Sequence, residues 1–463
     1  MSELTIFSPE RLKQIYDEIK QVYLSDSRPW IIGYSGGKDS TAAVQLVWSA
    51  ISELSSKKRV KPIFVISSDT LVETPTIIDF IDNTLENINR VAKEANMPFH
   101  AEKVRPIISD TFWVNLIGRG YPAPKRIFRW CTHRLKIKPA NTFILEKVSK
   151  HGEAIVVLGV RKSESATRAQ VMNLYEIKGT VLSRHTKLTG AYVYTPIKNF
   201  SLEDVWGYLL QKSSPWGGNN SKLLEMYRDA NAGECPLVVD KTTPSCGNSR
   251  FGCWVCTVVA KDKAMEALLE SGIDWMEPLF KIRNFLSSTQ DPSKKHIYRD
   301  YKRRTGTVGF NRDGSGTLTR GPYWPKIRVQ ILRKVLEAEV EIRNNGPDKS
   351  FSLINPEELF EIRRLWRMEW GDWEDTVPRL YSEVTGNELS WIPDDVGHFG
   401  SSEAKILSKI CLKSEFSPIL AKRLINAEIS SQGMKRRSSI YSKIDKIFGE
   451  EWRTEEEILE MKT

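Results

Sequence analysis

Apolar residues in the first half of the chain fall into two rhythms. Short unbroken runs, "WIIGYS" (30–35), "KPIFVISSDT" (61–70) and "EAIVVLGV" (153–160), read as strands buried on both faces. Between them, "STAAVQLVWSAISEL" (40–54) and "TPTIIDFIDNTLENINRVAKEA" (74–95) repeat apolar residues at helical spacing, and residues 8–24, opened by "SPERL", predict an amphipathic helix. Strand, helix, strand in this order predicts βαβ units and a parallel sheet, an α/β fold. Ligands of such sheets bind beyond the carboxyl ends of the strands, where Ser35, Asp69 and Arg161 fall.

The pattern then breaks. Residues 211–260 are rich in Ser, Gly, Asn, Pro and Cys and hold little that builds a regular core. Further on, "LFEIRRLWRMEWGDWE", "SEAKILSKICLKSEF" and "RTEEEILEMK" return to helical spacing. Three segments follow: 1–210, an α/β domain; 211–280, a cysteine-bearing segment; and 281–463, a basic and mainly helical region. The formal charge of the chain is +10, and residues 281–335 alone carry 14 Lys and Arg against three Asp. Such an excess suits a polyanionic partner, or a solvated basic face. No run is long and apolar enough to span a bilayer, and the N-terminus lacks the layout of a secretory signal, so a cytoplasmic protein is expected.

The stretch "GYSGGKDSTAAVQLVW" joins the first strand to its helix. It is not a Walker A loop, because only three residues separate Gly33 from Gly37 and Asp39 follows Lys38. Gly36 and Gly37 let backbone N–H groups approach an anion, and the helix N-terminus adds its dipole. Ser35 and Ser40 supply hydroxyls, Lys38 a charge, and Asp39 a carboxylate able to hold magnesium.

This S-G-G-K-D-S run resembles the pyrophosphate loop of the ATP pyrophosphatases, the PP-loop or adenine nucleotide alpha-hydrolase-like superfamily. The resemblance implies ATP cleavage between the α and β phosphates. Further segments, "SSDTLVETPTIIDFID", "RWCTHRLKIKP", "GVRKSESATRA" and "YTPIKNFSLEDVWGYL", are similar in order to motifs of sulfonucleotide (PAPS) reductases. They imply that Asp69 lies beside the nucleotide and that Arg161 and Arg168 surround the α-phosphate or the acceptor anion. The chain ends "EEEILEMKT", without the E-C-G-[LI]-H tail of those reductases.

Cys235, Cys246, Cys253 and Cys256 lie within 22 residues as C-x10-C-x6-C-x2-C. Four thiolates without a nearby histidine suit a zinc site or an iron–sulfur cluster. The irregular spacing and the sulfur chemistry implied upstream favour the cluster. Cys131 stands apart, among Arg126, Arg129, His133, Arg134 and Lys136, a field expected to lower its thiol pKa and suit it to carrying sulfur. Cys411, on an apolar helical face, reads as core.

Taken together, the loop, "RWCTHR", "GVRKSESATRA", the four cysteines and the basic helical half resemble the DndC-type proteins of DNA phosphorothioation. That resemblance implies ATP and Mg2+ at residues 35–40, a [4Fe–4S] cluster on the four cysteines, sulfur transfer to the DNA backbone, a cysteine desulfurase as sulfur donor, and DndD- and DndE-like partners. Two other readings remain open: a tRNA thiolation enzyme, whose cluster cysteines more usually form C-x-x-C plus one distant cysteine, and a nucleotide-gated DNA-binding subunit with a structural cluster.

Overall fold

β1 (Trp30–Gly33) is the hub of a six-stranded sheet. With β2 (Ile63–Ser68), β3 (Phe99–Val104), β4 (Ala154–Val157), β5 (Ser183–Arg184) and β6 (Ala191–Tyr194), the order is β3-β2-β1-β4-β6-β5. All pairs are parallel except β5 with β6. Trp30 is in register with Ile63 on one side and Ile155 on the other. The computed structural model describes residues 9–461 apart from 219, 230–251, 314, 392–398, 415, 430 and 432–437.

The unbroken apolar runs are explained by burial on both faces. Trp30, Ile32, Val65, Ile155 and Val157 join one core with α1 (Pro9–Leu24), α2 (Lys38–Ser52) and α3 (Pro75–Glu94). Their neighbours Ile31, Ile66 and Val156 join the opposite core with Phe143 and Ile144 of α4 (Lys138–His151). Side chains alternate along a strand, so a helical layer on each face demands apolar residues at every position. Edge strand β3 escapes detection as a run because its exposed positions His100 and Glu102 are polar. Asn89 of α3 donates to Ala101 O (2.8 Å) and accepts from Ala101 N (2.7 Å), closing that edge. Helices α5 (Ala166–Leu174), α6 (Leu202–Gln211), α7 (Ser221–Asp229) and α8 (Lys263–Glu270) complete this unit.

The chain divides into two units: residues 1–106 with 129–274, and residues 107–128 with 275–463. The described residues of the cysteine-bearing segment up to 274 lie in the sheet unit, whereas 107–128, which the sequence reading included in the α/β domain, packs in the helical unit. There the wide helical turn Val114–Gly118 is buried throughout. The Trp113 indole donates to Leu353 O at 2.7 Å, and the Trp366 indole to Ile117 O at 3.1 Å. The rest of this unit is helical: α9 (Glu277–Ser288), α10 (Lys295–Tyr298), α11 (Pro325–Asn345), α12 (Pro356–Trp370), α13 (Thr376–Thr385), α14 (Ser401–Lys413) and further helices to Glu460. Cys411 is buried in α14, as expected of a core residue. No helix among the described residues is long and apolar enough to cross a membrane.

Trp30 is fully buried, edge-on to Tyr23 at 5.5 Å, and its indole N–H has no hydrogen-bond partner. Trp30→Ala is expected to cost about 3–5 kcal/mol in denaturant unfolding. Trp30→Phe keeps the ring contact and removes an unpaired donor, so it is expected to cost less than about 1.5 kcal/mol.

Candidate functional site

Strand order reverses at β1: β2 lies on one side of it and β4 on the other. A crevice opens at such a switch point beyond the carboxyl ends of the strands. The loop after β1 and the residues after β4 both arrive there.

Gly36 takes φ +74°, a conformation that glycine adopts without penalty, and its missing Cβ would stand 3.1 Å from Ile81. Ser40 Oγ donates to Gly37 O (2.9 Å) and accepts from Ser35 N (3.2 Å); with its one proton so committed, the Ser35 hydroxyl is the donor in the 3.1 Å bond between them. Thr41 Oγ1 also donates to Gly37 O, at 2.9 Å. These bonds draw the turn tight without using a phosphate. No side chain caps the start of α2 at Gly37, and Lys38 N donates to the Tyr227 hydroxyl at 3.3 Å. An uncapped helix start at the end of a parallel strand is a physical basis for anion binding.

Charge is concentrated on this turn. Arg161, buried beyond the end of β4, places Nε 2.5 Å from Asp39 Oδ1 and donates from its guanidinium to Ser163 Oγ at 3.0 Å. The buried Lys38 ammonium lies 3.3 Å from Asp39 Oδ2 and 5.2 Å from the centre of the Tyr227 ring. Asp39 thus has a cation on each oxygen. Gly159 makes this approach possible, because a Cβ there would sit 2.5 Å from Asp39 O. Beside them, Asp69 follows β2. It accepts from Leu71 N at 3.0 Å and Arg105 Nε at 2.9 Å, with Lys103 Nζ at 3.8 Å. Arg168 departs from the expectation. It is half exposed on α5 and pairs with Glu164, not with the loop.

Two of the four clustered cysteines lie within the described residues, and Cys131 joins them. Residues 252–256 run against the segment after β2: Glu73 bridges Cys253 in antiparallel fashion, Trp254 N donates to Val72 O (3.0 Å), and Cys256 N to Cys253 O (3.0 Å). Cys253 Sγ lies 3.3 Å from Thr70 Oγ1. Cys131 starts the wide turn Thr132–Ile137, which carries Lys136. The Lys136 ammonium is influenced by the charges of Cys253, Glu73, Cys131 and Cys256, which hold its pKa up against burial. Burial pushes the Cys253 thiol up to about 12, with Lys136 opposing.

The thiol of Cys131 is raised rather than lowered. Burial is the main cause and the charge of Cys256 the next, outweighing the Thr132 hydrogen bonds and Lys136. The basic flank read from sequence therefore does not set its pKa, because burial dominates. Cys235 and Cys246 lie outside the described residues. No group of three His, Cys, Asp or Glu among the described residues is arranged as a metal site. Thiols are the donors that a thiophilic metal or cluster takes, and the charge of Cys256 bears on both Cys131 and Cys253.

Glu73, Lys136 and Tyr227 were not read from sequence as site residues in these roles. Glu73 had a signal in "DTLVETP", where the Glu is displaced from its usual place. Burial raises its carboxyl pKa, Lys136 lies 4.0 Å away, and Thr70 N donates to it at 2.9 Å. Tyr227 had none.

Residues 29–259 match the family described as the phosphoadenosine phosphosulfate reductase domain. An uncharacterized protein of Methanocaldococcus jannaschii is 26% identical over 238 residues, 51% of this chain and 38% of that protein, so the similarity spans well under half of the relative. Among solved structures, the PAPS reductase of Candida auris in its phosphate complex is 17% identical, covering 47% of this chain and 93% of that one, with a TM-score of 0.29. The U34-tRNA thiolase NcsA of Methanococcus maripaludis with its [4Fe-4S] cluster is 14% identical, covering 50% and 77%, with a TM-score of 0.29.

Gly159→Ala is expected to push Asp39 and the start of α2 away from the end of β4, because the added methyl meets backbone that cannot swing aside. Overpacking of this kind costs about 1–3 kcal/mol. Denaturant unfolding should show that loss as a lower midpoint at an unchanged slope. An unchanged midpoint would mean that the turn tolerates the displacement.

Proposed function

We propose that this chain, whose residues 29–259 form a PAPS reductase-like domain, is an ATP pyrophosphatase that activates a nucleic-acid oxygen by adenylation and replaces it with sulfur, the acceptor being a non-bridging oxygen of the DNA backbone. The observation that carries this reading is the S-G-G-K-D-S turn at the switch point, with buried Lys38 and Arg161 converging on Asp39 and a group of thiols in the same unit.

In this reaction ATP gives up pyrophosphate to the turn Ser35–Ser40. Nucleotide oxygens take Arg161 and Lys38 from Asp39, which frees that carboxylate for Mg2+. Asp69 lies toward the nucleotide. Arginine's fork suits the α-phosphate oxygens, so Arg161 neutralises charge as AMP becomes a leaving group. Arg168, exposed on α5, is left for the acceptor anion.

Sulfur, passed from a cysteine desulfurase as a persulfide on Cys131, displaces AMP. The terminal sulfur then sits between phosphorus and Cys131, and releasing it as a thiophosphate takes two electrons. A low-molecular-weight thiol supplies them by attacking Cys131 Sγ, which forms a mixed disulfide there and releases the thiophosphate. A [4Fe–4S] cluster held by Cys253 and Cys256 would supply a centre for sulfide or electron exchange. DndD- and DndE-like partners belong to the same reading.

A second reading, thiolation of a tRNA base, draws support from the grouping of Cys131 with Cys253 and Cys256, a C-x-x-C plus one distant cysteine.

The chain expressed with its genomic neighbours should leave phosphorothioate dinucleotides in host DNA, detected by mass spectrometry of a digest and lost with Cys131→Ser. Clean DNA beside a thiolated tRNA base would transfer the reading to tRNA. Sulfur in neither would refute the proposed activity.

A further inference from the structure

The loop from Gly120 to Phe128, in the helical unit, is fastened at its stem and charged at its tip. Tyr323 N donates to Gly120 O at 2.7 Å, and Ala123 N donates to the Tyr323 hydroxyl at 3.0 Å. That hydroxyl is 2.6 Å from Thr289 Oγ1, and Gln290 Nε2 donates to Pro124 O at 2.9 Å. Pro122 and Pro124 fix the backbone between these anchors. Lys125 and Phe128 then pair across a two-residue turn, with N–H to O distances of 3.2 and 2.8 Å. Arg126 and Ile127 are left at the apex, Ile127 85% exposed and Phe128 42%.

Behind the tip the charges have one sign. Burial and the neighbouring cations Lys295 and Arg299 all push the Lys125 ammonium pKa down. Arg299 donates to Gly321 O at 2.7 Å and to Arg320 O, and burial depresses its pKa as well. Arg304 lies 5.7 Å from the centre of the Tyr121 ring. Among the described residues, no carboxylate pairs with Lys125, Arg126, Lys295 or Arg299. Holding like charges together on a braced loop costs free energy that an anion would recover. Cations on a braced, exposed turn match a nucleic-acid backbone, whose phosphates meet them.

We propose that the Lys125–Phe128 tip, backed by Lys295 and Arg299, is the phosphate-backbone contact through which this chain holds duplex DNA. This rests on the nucleic-acid reading above and adds to it a loop that lies far from the basic stretch in sequence.

The test is fluorescence anisotropy of a labelled duplex titrated with the full chain over a KCl series. Each lost phosphate contact flattens the plot of log affinity against log salt by ~0.9. The triple variant Lys125→Gln, Arg126→Gln, Lys295→Gln should therefore lose about 2–3 units of slope and at least about tenfold in affinity near 0.1 M salt. Its unfolding midpoint, measured in parallel, should not move, and Lys125→Arg should keep the wild-type slope. Equal slope and affinity in the triple variant would overturn the assignment and leave the nucleic-acid reading intact. Failure of the wild-type chain to bind either DNA or tRNA would overturn both. Loss confined to tRNA, or to anionic lipid vesicles, would also overturn the duplex assignment.

Discussion

The pairing of Asp39 with Arg161 is the constraint on which the candidate site depends. Asp39 stands in the first turn of the helix after β1, and Arg161 follows β4. Their bond spans the place where strand order reverses, so it ties together the two elements that form the crevice. Both side chains are largely withdrawn from water, and removing Asp39 would leave the buried Arg161 and Lys38 without that carboxylate, a loss of about 3–5 kcal/mol in buried pairs. Gly159 permits the contact, Lys38 shares the carboxylate, and Tyr227 receives the Lys38 amide.

A second arrangement, around Lys136, follows from the segment after β2. That segment carries Asp69 toward Arg105 and Lys103 and Glu73 toward the cysteines, only four residues apart. One stretch of chain therefore links the charged groups around Asp69 with the thiols. Burial opposes thiolate formation at both Cys131 and Cys253, and Lys136 counters it at both. Sulfur chemistry at such a place is governed by what shares the buried volume rather than by a basic sequence around one cysteine.

The central sheet was legible because its strands are covered twice. Ile31 and Ile32 face opposite cores, and no polar residue interrupts them. The tight turn Ser35–Ser40 was legible as a turn because its constraint is local: Gly36, Gly37 and Ser40 act within a few residues. Strand β3 was not, since an edge strand alternates with polar residues. The placing of 107–128 was hidden for another reason. "TFWVNLIG" is apolar enough for either unit, and its partners Leu353 and Trp366 lie more than two hundred residues away. The grouping of Cys131 with Cys253 and Cys256 was hidden in the same way. Local charge suggested an activated thiol, whereas long-range burial raises its pKa.

The proposed function requires that ATP be cut between its α and β phosphates. The full chain, incubated with ATP labelled at the α-phosphate, Mg2+ and duplex DNA in the presence of its partners, should yield AMP and pyrophosphate in equal amounts. The yield should fall with Arg161→Ala. Release of ADP and orthophosphate instead would contradict the reading of the Ser35–Ser40 turn as a pyrophosphate cradle.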